Sequence, residues 1–284
     1  MKNIAKRFTI LMLLSTIIFT NGCASRLDLN KRKRKADDIA AISNMQEHII
    51  PAGLFNLTTW QRVREAGETI HIYIEGDGLA WLSKYKVSNN PTPPEPLTLE
   101  LATRDRNPNV IYIARPCQYS GWNKHGHCSS LFWTHGRTAP EVIKSFQIAL
   151  DQIKIKYTAK DFVLTGYSGG GAVAAILAGT RDDVVALRTV AGNLDYKTFT
   201  NHHKVSPMHA SQEPINFAYD TRTIPQLHFI GGRDKIIPEI IFNKWASVAN
   251  NPSCVKKLVL PNVSHDKGWV DEWNRLQQMQ PACY

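Results

Sequence analysis

The sequence predicts an α/β fold with a mainly parallel central sheet, helices on both of its faces and a small cap segment. Three observations carry that expectation. Short apolar runs of strand length alternate with helix-forming stretches from residue 68 to the end of the chain, the pattern of parallel strands joined by crossover helices. The 284 residues, 43% apolar and 20% charged, are enough for one large packed domain. Finally, Gly166-Tyr167-Ser168-Gly169-Gly170 lies between the apolar run Phe162–Leu164 and the Ala-rich run Ala172–Ala178. A strand that reverses sharply into a helix needs small residues on either side of the turn, and it leaves the serine exposed at the tip.

The N-terminus reads as a targeting segment. Lys2, Lys6 and Arg7 precede a twelve-residue apolar stretch, Phe8 to Phe19, which is shorter than the ~20 residues needed to span a bilayer. Thr20-Asn21-Gly22-Cys23 then resembles the lipobox of bacterial lipoproteins, with a plain secretory signal as the alternative. The resemblance implies a signal peptide over 1–22, lipidation of Cys23, a basic tether over 23–35 and one domain over 36–284. The expected location is on the periplasmic side of a membrane, the outer one by preference, or outside the cell. Of the net charge of +10, three positive charges fall in the leader and five in Lys31-Arg32-Lys33-Arg34-Lys35. The body is left at about +2, too little for a nucleic-acid partner. The tether is either held against anionic headgroups or simply solvated.

Along the chain, Ala36 to Ile49 has helical composition, with Ile39, Ile42 and Met45 at helical spacing, and Gly53 to Leu57 is expected as an edge strand. In Glu68–Glu75, Ile70, Ile72 and Ile74 alternate as in a strand. The turn Glu75-Gly76-Asp77-Gly78 follows. Ser88–Pro96 holds four prolines and should be irregular, Leu97–Thr103 helical and Val110–Ala114 a buried strand. The following loop carries Trp122, His125, His127, Trp133 and His135, with no acidic partner spaced to make a metal site. Pro140–Ile155 reads as an amphipathic helix. Beyond the serine turn, Val184–Ala191 is a strand, residues 195–224 have no clear period and suit a cap, and Gln226–Ile230 is a strand. Ile240–Ala249 is a helix, Lys256–Leu260 the last strand and Asp271–Met279 the last helix. Four cysteines remain besides Cys23 and allow three pairings. The favoured pairs are Cys117–Cys128, which closes a short loop, and Cys254–Cys283, which ties the C-terminus to the last strand. Both suit an oxidising compartment.

Ser168, Asp234 and His265 each follow a strand, in the chain order nucleophile, acid, base. Their chemistries are complementary. The serine hydroxyl needs a base, the imidazole can take and return its proton, and a carboxylate can hold that imidazole in one tautomer. Asp195, after the preceding strand, is the alternative acid. The N–H groups of Gly169 and Asp77 are the expected oxyanion donors, the latter from a variant of the H-G-G-G turn.

On Gly166–Gly170, on Gly231-Gly232-Arg233-Asp234-Lys235-Ile236-Ile237-Pro238 and on Ser264-His265, the sequence resembles the α/β-hydrolase superfamily over most of residues 50–280. Glu75–Trp81 and Arg115–Tyr119 look like a group of bacterial lipoprotein hydrolases. The resemblance implies the fold and a serine-hydrolase triad and supplies no substrate; the first reading is a serine hydrolase cleaving carboxylic esters or related acyl bonds of a small or lipid-like substrate, with no metal and no cofactor. A peptidase or aminoacyl hydrolase of the same fold and a non-catalytic binding lipoprotein are the alternatives. Cys23→Ser is expected to release the protein from membranes and to abolish its labelling by palmitate; labelling that persists in the variant contradicts the lipid anchor.

Overall fold

The computed structural model describes residues 28–120 and 127–284. The expected signal peptide, Cys23, the first residues of the tether, Trp122 and His125 lie outside the described residues. An eight-stranded sheet dominates the remainder. Its strands are β1 (Gln46–Ala52), β2 (Phe55–Arg62), β3 (Ile70–Ile74), β6 (Val110–Ile113), β7 (Phe162–Tyr167), β8 (Val184–Val190), β9 (Gln226–Gly231) and β10 (Val255–Leu260). The remaining two strands, β4 (Trp81–Ser83) and β5 (Lys86–Val87), form a separate hairpin. The sheet order is β1-β2-β6-β3-β7-β8-β9-β10. From β6 to β10 every neighbouring pair is parallel, while β2 runs antiparallel to β6 and to β1. The parallel strands are the six apolar runs of the sequence.

A parallel sheet must be covered on both faces, and the alternation in β3 shows how. Ile70, Ile72 and Ile74 face a layer made of α3 (Pro140–Tyr157), α4 (Gly169–Thr180) and α6 (Ile240–Ala249), where they join Phe146, Leu150, Val173 and Trp245. Tyr73 faces the opposite layer, formed by a helix over residues 28–41 (α1), α2 (Leu97–Arg104) and α7 (Trp269–Leu276). There Trp273 is fully buried, edge-on to Tyr73 at 6.1 Å and to Phe229 at 5.7 Å. Truncating such a side chain to Ala costs about 3–5 kcal/mol.

Several boundaries differ from those read in the sequence. The helix expected over 36–49 ends at 41, and residues 46–52 form β1 instead. Gln46-Glu47-His48-Ile49 is mostly exposed and its composition suits a helix equally well; seven paired positions with β2 decide the outcome. Gly53, expected to open an edge strand, sits in the hairpin turn with φ of 69°, and β2 begins at Phe55. Within the expected tether, residues 28–35 belong to α1. Ala36 and Ala40 are buried, Arg32 Nη1 donates to Thr92 O at 2.6 Å, Lys35 pairs with Glu95, and Asp37 accepts from Trp60 Nε1 at 3.1 Å. Residues 195–224 form the β8–β9 crossover. They carry α5 (Tyr196–His203) and a 3-10 turn, Pro214–Phe217, whose Phe217 lies against Gly179 at the far end of α4.

Disulfides join Cys117 to Cys128 and Cys254 to Cys283. The second holds the C-terminal segment beside β10, where Tyr284 N donates to Ser253 O and Lys256 Nζ lies 5.0 Å from the Tyr284 ring.

The layer under α2 and α7 also buries charge. Asp105 follows α2, and its Oδ2 lies 2.7 Å from His71 Nδ1 and accepts from Tyr73 OH at 2.6 Å. Fully buried Arg188 reaches His71 Nδ1 and donates to Gln277 O. Burial works to raise the Asp105 carboxyl, but hydrogen bonds from His71, Tyr73 and Asn107 N outweigh it and hold the group at about 2. Because the folded value lies below the ordinary 3.8, this contribution is present above that pH and is lost as pH falls through the folded value. Asp105→Asn is expected to cost about 3 kcal/mol at neutral pH and to shallow the acid limb of the stability curve between pH ~4 and ~2. Urea unfolding across that range checks it.

Candidate active site

The turn between β7 and α4 places Ser168 at φ 51° and ψ −118°. A non-glycine residue pays of order 1–3 kcal/mol for such a conformation, which persists only where the surroundings impose it. Here they do: Ser168 N donates to Val190 O at 2.9 Å, and Ser168 O accepts from Gly171 N and Asn193 N, both at 3.0 Å. Gly166 and Gly170 face one another across the bend. A Cβ on Gly166 would lie 2.2 Å from Gly170 O, and one on Gly170 would lie 2.3 Å from Ile74 O. The first turn of α4 can therefore rest directly on the end of β3.

His265 lies in the loop between β10 and α7. Its Nε2 is 3.1 Å from Ser168 Oγ and its Nδ1 is 2.9 Å from Asp234 Oδ2. Two donors fix the backbone of that loop at the imidazole, since His265 O accepts from Tyr167 OH at 3.1 Å and from Trp269 Nε1 at 2.8 Å. Asp234 is held by its own turn. Oδ1 accepts from Ile236 N at 2.7 Å and Ile237 N at 2.8 Å, which leaves Oδ2 for the imidazole. The Asp234 side chain is fully buried, and His265 keeps 18% of its surface exposed. The acid end is thus shielded from water while the nucleophile end stays open.

Beyond β3 the chain turns through Gly76, Asp77 and Gly78. No hydrogen bond among the described residues takes up the N–H of Asp77 or of Gly169. Under the turn, Glu75 Oε1 accepts from Gly76 N at 2.8 Å and Thr98 Oγ1 at 2.7 Å, and Oε2 accepts from Tyr112 OH at 3.0 Å. Gln118 Nε2 donates to Gly76 O at 3.0 Å. Asp77 Oδ1 pairs with Arg115 Nη1 at 3.2 Å, and Oδ2 with Arg137 Nη1 at 2.5 Å.

Ser168, His265 and Asp234 are therefore within hydrogen-bonding distance in sequence, with Gly169 and Asp77 beside them. Asp195 is occupied elsewhere. It caps α5, accepting from Thr198 N at 2.8 Å and Thr198 Oγ1 at 2.6 Å. The crossover that follows packs against the loop ahead of α3. His209 stacks on His135 at 5.3 Å, and Ser211 Oγ donates to His135 O at 2.9 Å. Among the described residues no three His, Cys, Asp or Glu side chains converge as a metal site, and no helix is long and apolar enough to cross a membrane. Sequence reasoning did not single out Glu75, Arg115, Gln118 or Arg137 individually for the site. The only signal was that Glu75, Arg115 and Gln118 lie in stretches that carry the family resemblance.

No protein-family model matches the chain, and no curated protein sequence matches it. Solved structures do. An esterase from Pyrococcus furiosus aligns with a TM-score of 0.60 at 15% identity, over 85% of this chain and 93% of that one. A lidless α/β serine hydrolase from Xanthomonas campestris aligns at 0.53 and 14% identity, over 82% and 92%. An acylaminoacyl peptidase from Pyrococcus horikoshii aligns at 0.55 and 11% identity over 83% of this chain, which spans 40% of that larger protein. At these identities the likeness speaks to architecture, and the chain has the α/β-hydrolase fold.

The buried Glu75 gives the turn after β3 a pH signature. Burial pushes its carboxyl up to about 7 from 4.5, and the hydrogen bonds from Thr98, Gly76 N and Tyr112 pull it only part of the way back. A raised carboxyl stabilises the fold below its unfolded value, and that contribution is lost as pH rises through the folded one. Glu75→Gln cannot ionise, so its stability relative to the wild type should rise by up to about 3 kcal/mol between pH ~4.5 and ~8. Urea unfolding of both proteins at the two ends of this range checks the sign.

Proposed function

We propose that the protein is a serine hydrolase that cleaves carboxylic esters, or related acyl bonds, through an acyl-enzyme. One observation carries the reading: the unbroken chain Asp234 Oδ2–His265 Nδ1, His265 Nε2–Ser168 Oγ, at 2.9 and 3.1 Å, with the N–H groups of Gly169 and Asp77 left without a hydrogen-bond acceptor among the described residues. Ser168 Oγ attacks the acyl carbon and passes its proton to His265 Nε2. The carbonyl electron pair moves onto oxygen, which the N–H groups of Gly169 and Asp77 receive. A donor so placed stabilises the tetrahedral state by about 3–4 kcal/mol. Collapse expels the alcohol, which takes the proton from Nε2. Water then attacks the acyl-enzyme, gives a proton to the same nitrogen and releases the acid, and Ser168 recovers its proton. Asp234 holds the imidazole with Nε2 toward the serine and stabilises its cation.

The similarity in fold to an esterase and to a lidless serine hydrolase supports hydrolysis, and the two disulfides fit an exported protein. The lipid anchor at Cys23 remains part of this reading, with the protein held at a membrane facing the periplasm. A panel of esters of increasing acyl length, run beside aminoacyl amides, separates esterase from peptidase. Ser168→Ala is expected to eliminate both turnover and labelling by a fluorophosphonate while leaving the thermal midpoint intact. Asp234→Asn should lower kcat by about 10⁴, and adding it to Ser168→Ala should cost nothing further, because the three groups act as a unit. A wild-type protein that takes no label would point to the binding-lipoprotein alternative.

A further inference from the structure

Resting on that reading, we infer that Arg115 and Arg137 act as positioning residues for the oxyanion site: they neutralise the Asp77 carboxylate and leave a net positive charge beside the developing oxyanion. The geometry raises the problem these residues solve. Asp77 presents its N–H to the oxyanion, but its side chain folds back over the first residue of α4. A Cβ added to Gly169 would lie 2.2 Å from Asp77 Oδ1 and 2.7 Å from Oδ2. An anion is thereby held against the residue whose N–H is the second donor. Unopposed, it would repel the charge that the transition state puts on oxygen, and in a site with little water that repulsion is weakly screened.

Both carboxylate oxygens are engaged, each by a different guanidinium, at 3.2 Å from Arg115 and 2.5 Å from Arg137. The Arg115, Arg137 and Asp77 side chains are 5%, 10% and 15% exposed. Arg115 Nη2 also donates to Arg137 O, Arg137 Nε donates to Thr134 O at 2.8 Å, and Arg115 Nε has no partner among the described residues. Counted over these three side chains, two cations face one anion. Its supports are separate parts of the chain. Arg115 stands two residues before the Cys117–Cys128 bridge, and Arg137 lies in the loop ahead of α3. The ion pairs thus tie the oxyanion turn to the disulfide loop, and they bias that corner toward negative charge on the substrate oxygen.

The sign of this arrangement can be tested. Wild type, Asp77→Asn, Arg137→Gln and the double variant are compared for their second-order rate of labelling by a fluorophosphonate, and for kcat and KM on the best ester of the panel. Arg137→Gln removes the surplus positive charge and leaves Asp77 Oδ2 without its guanidinium, and should label about a hundredfold more slowly. The double variant lacks both charges yet should recover at least about tenfold of that loss, and in every variant kcat should move while KM stays within about threefold. Arg137→Lys keeps the charge and should remain within about fivefold of wild type; it also serves where Arg137→Gln does not fold. The inference is overturned if Arg137→Gln labels at the wild-type rate, if the double variant is no faster than Arg137→Gln, or if Arg137→Lys loses more than about a hundredfold. Those outcomes leave the hydrolase reading standing, whereas a wild-type protein that takes no label at Ser168 overturns that reading and this inference together.

Discussion

The site depends on one close approach, that of the first turn of α4 to the end of β3. With Gly170 against the carbonyls of Ile74 and Glu75, helix and strand meet at backbone distance. Ser168 is thereby lifted to the tip of its bend, and Gly169 is set beside Asp77. Any side chain at position 170 would push the helix off the sheet and move Gly169 away from Asp77. Because the strain at Ser168 is held by hydrogen bonds to β8 and to the loop after it, the neighbouring crossover is part of the same construction.

Charge is buried at two places along the central strand β3, and it is treated differently in each. On the layer of α2 and α7, Asp105 is held ionised by hydrogen bonds from His71 and Tyr73. At the C-terminal edge, Glu75 is pushed toward the neutral form, and two arginines surround Asp77. The first arrangement joins α2 to the central strand. The second sets the shape and potential of the turn next to the serine. Burial alone would raise both the Asp105 and the Glu75 carboxyls, and the partners around each decide how far.

Much of this was legible in the sequence because its signals are local. A run such as Ile70–Ile74 declares a buried strand without reference to anything else, and the glycines around Ser168 declare a sharp bend. Ser168, Asp234 and His265 could be selected because each follows a strand and the strands are parallel, so their ends gather at one edge. What was not legible depends on distant partners. Gln46–Ala52 is a strand because β2 lies beside it, and residues 28–35 are ordered because Asn90, Thr92 and Glu95 receive their side chains. Arg115 and Arg137 are 38 and 60 residues from Asp77 along the chain, and no spacing rule connects them before the crossovers bring them together.

The bridge between Cys254 and Cys283 has a consequence beyond its effect on chain entropy. β10 is the last strand of the sheet, and among the described residues no strand neighbours its outer edge. An open edge of this kind is a template on which a second chain can add. The C-terminal segment, fixed by the disulfide and by Tyr284 against Ser253 and Lys256, stands at the start of that edge, and Lys256 and Lys257 place charge along it. Reduction would release the segment from that edge, so the bridge also serves to keep the edge covered.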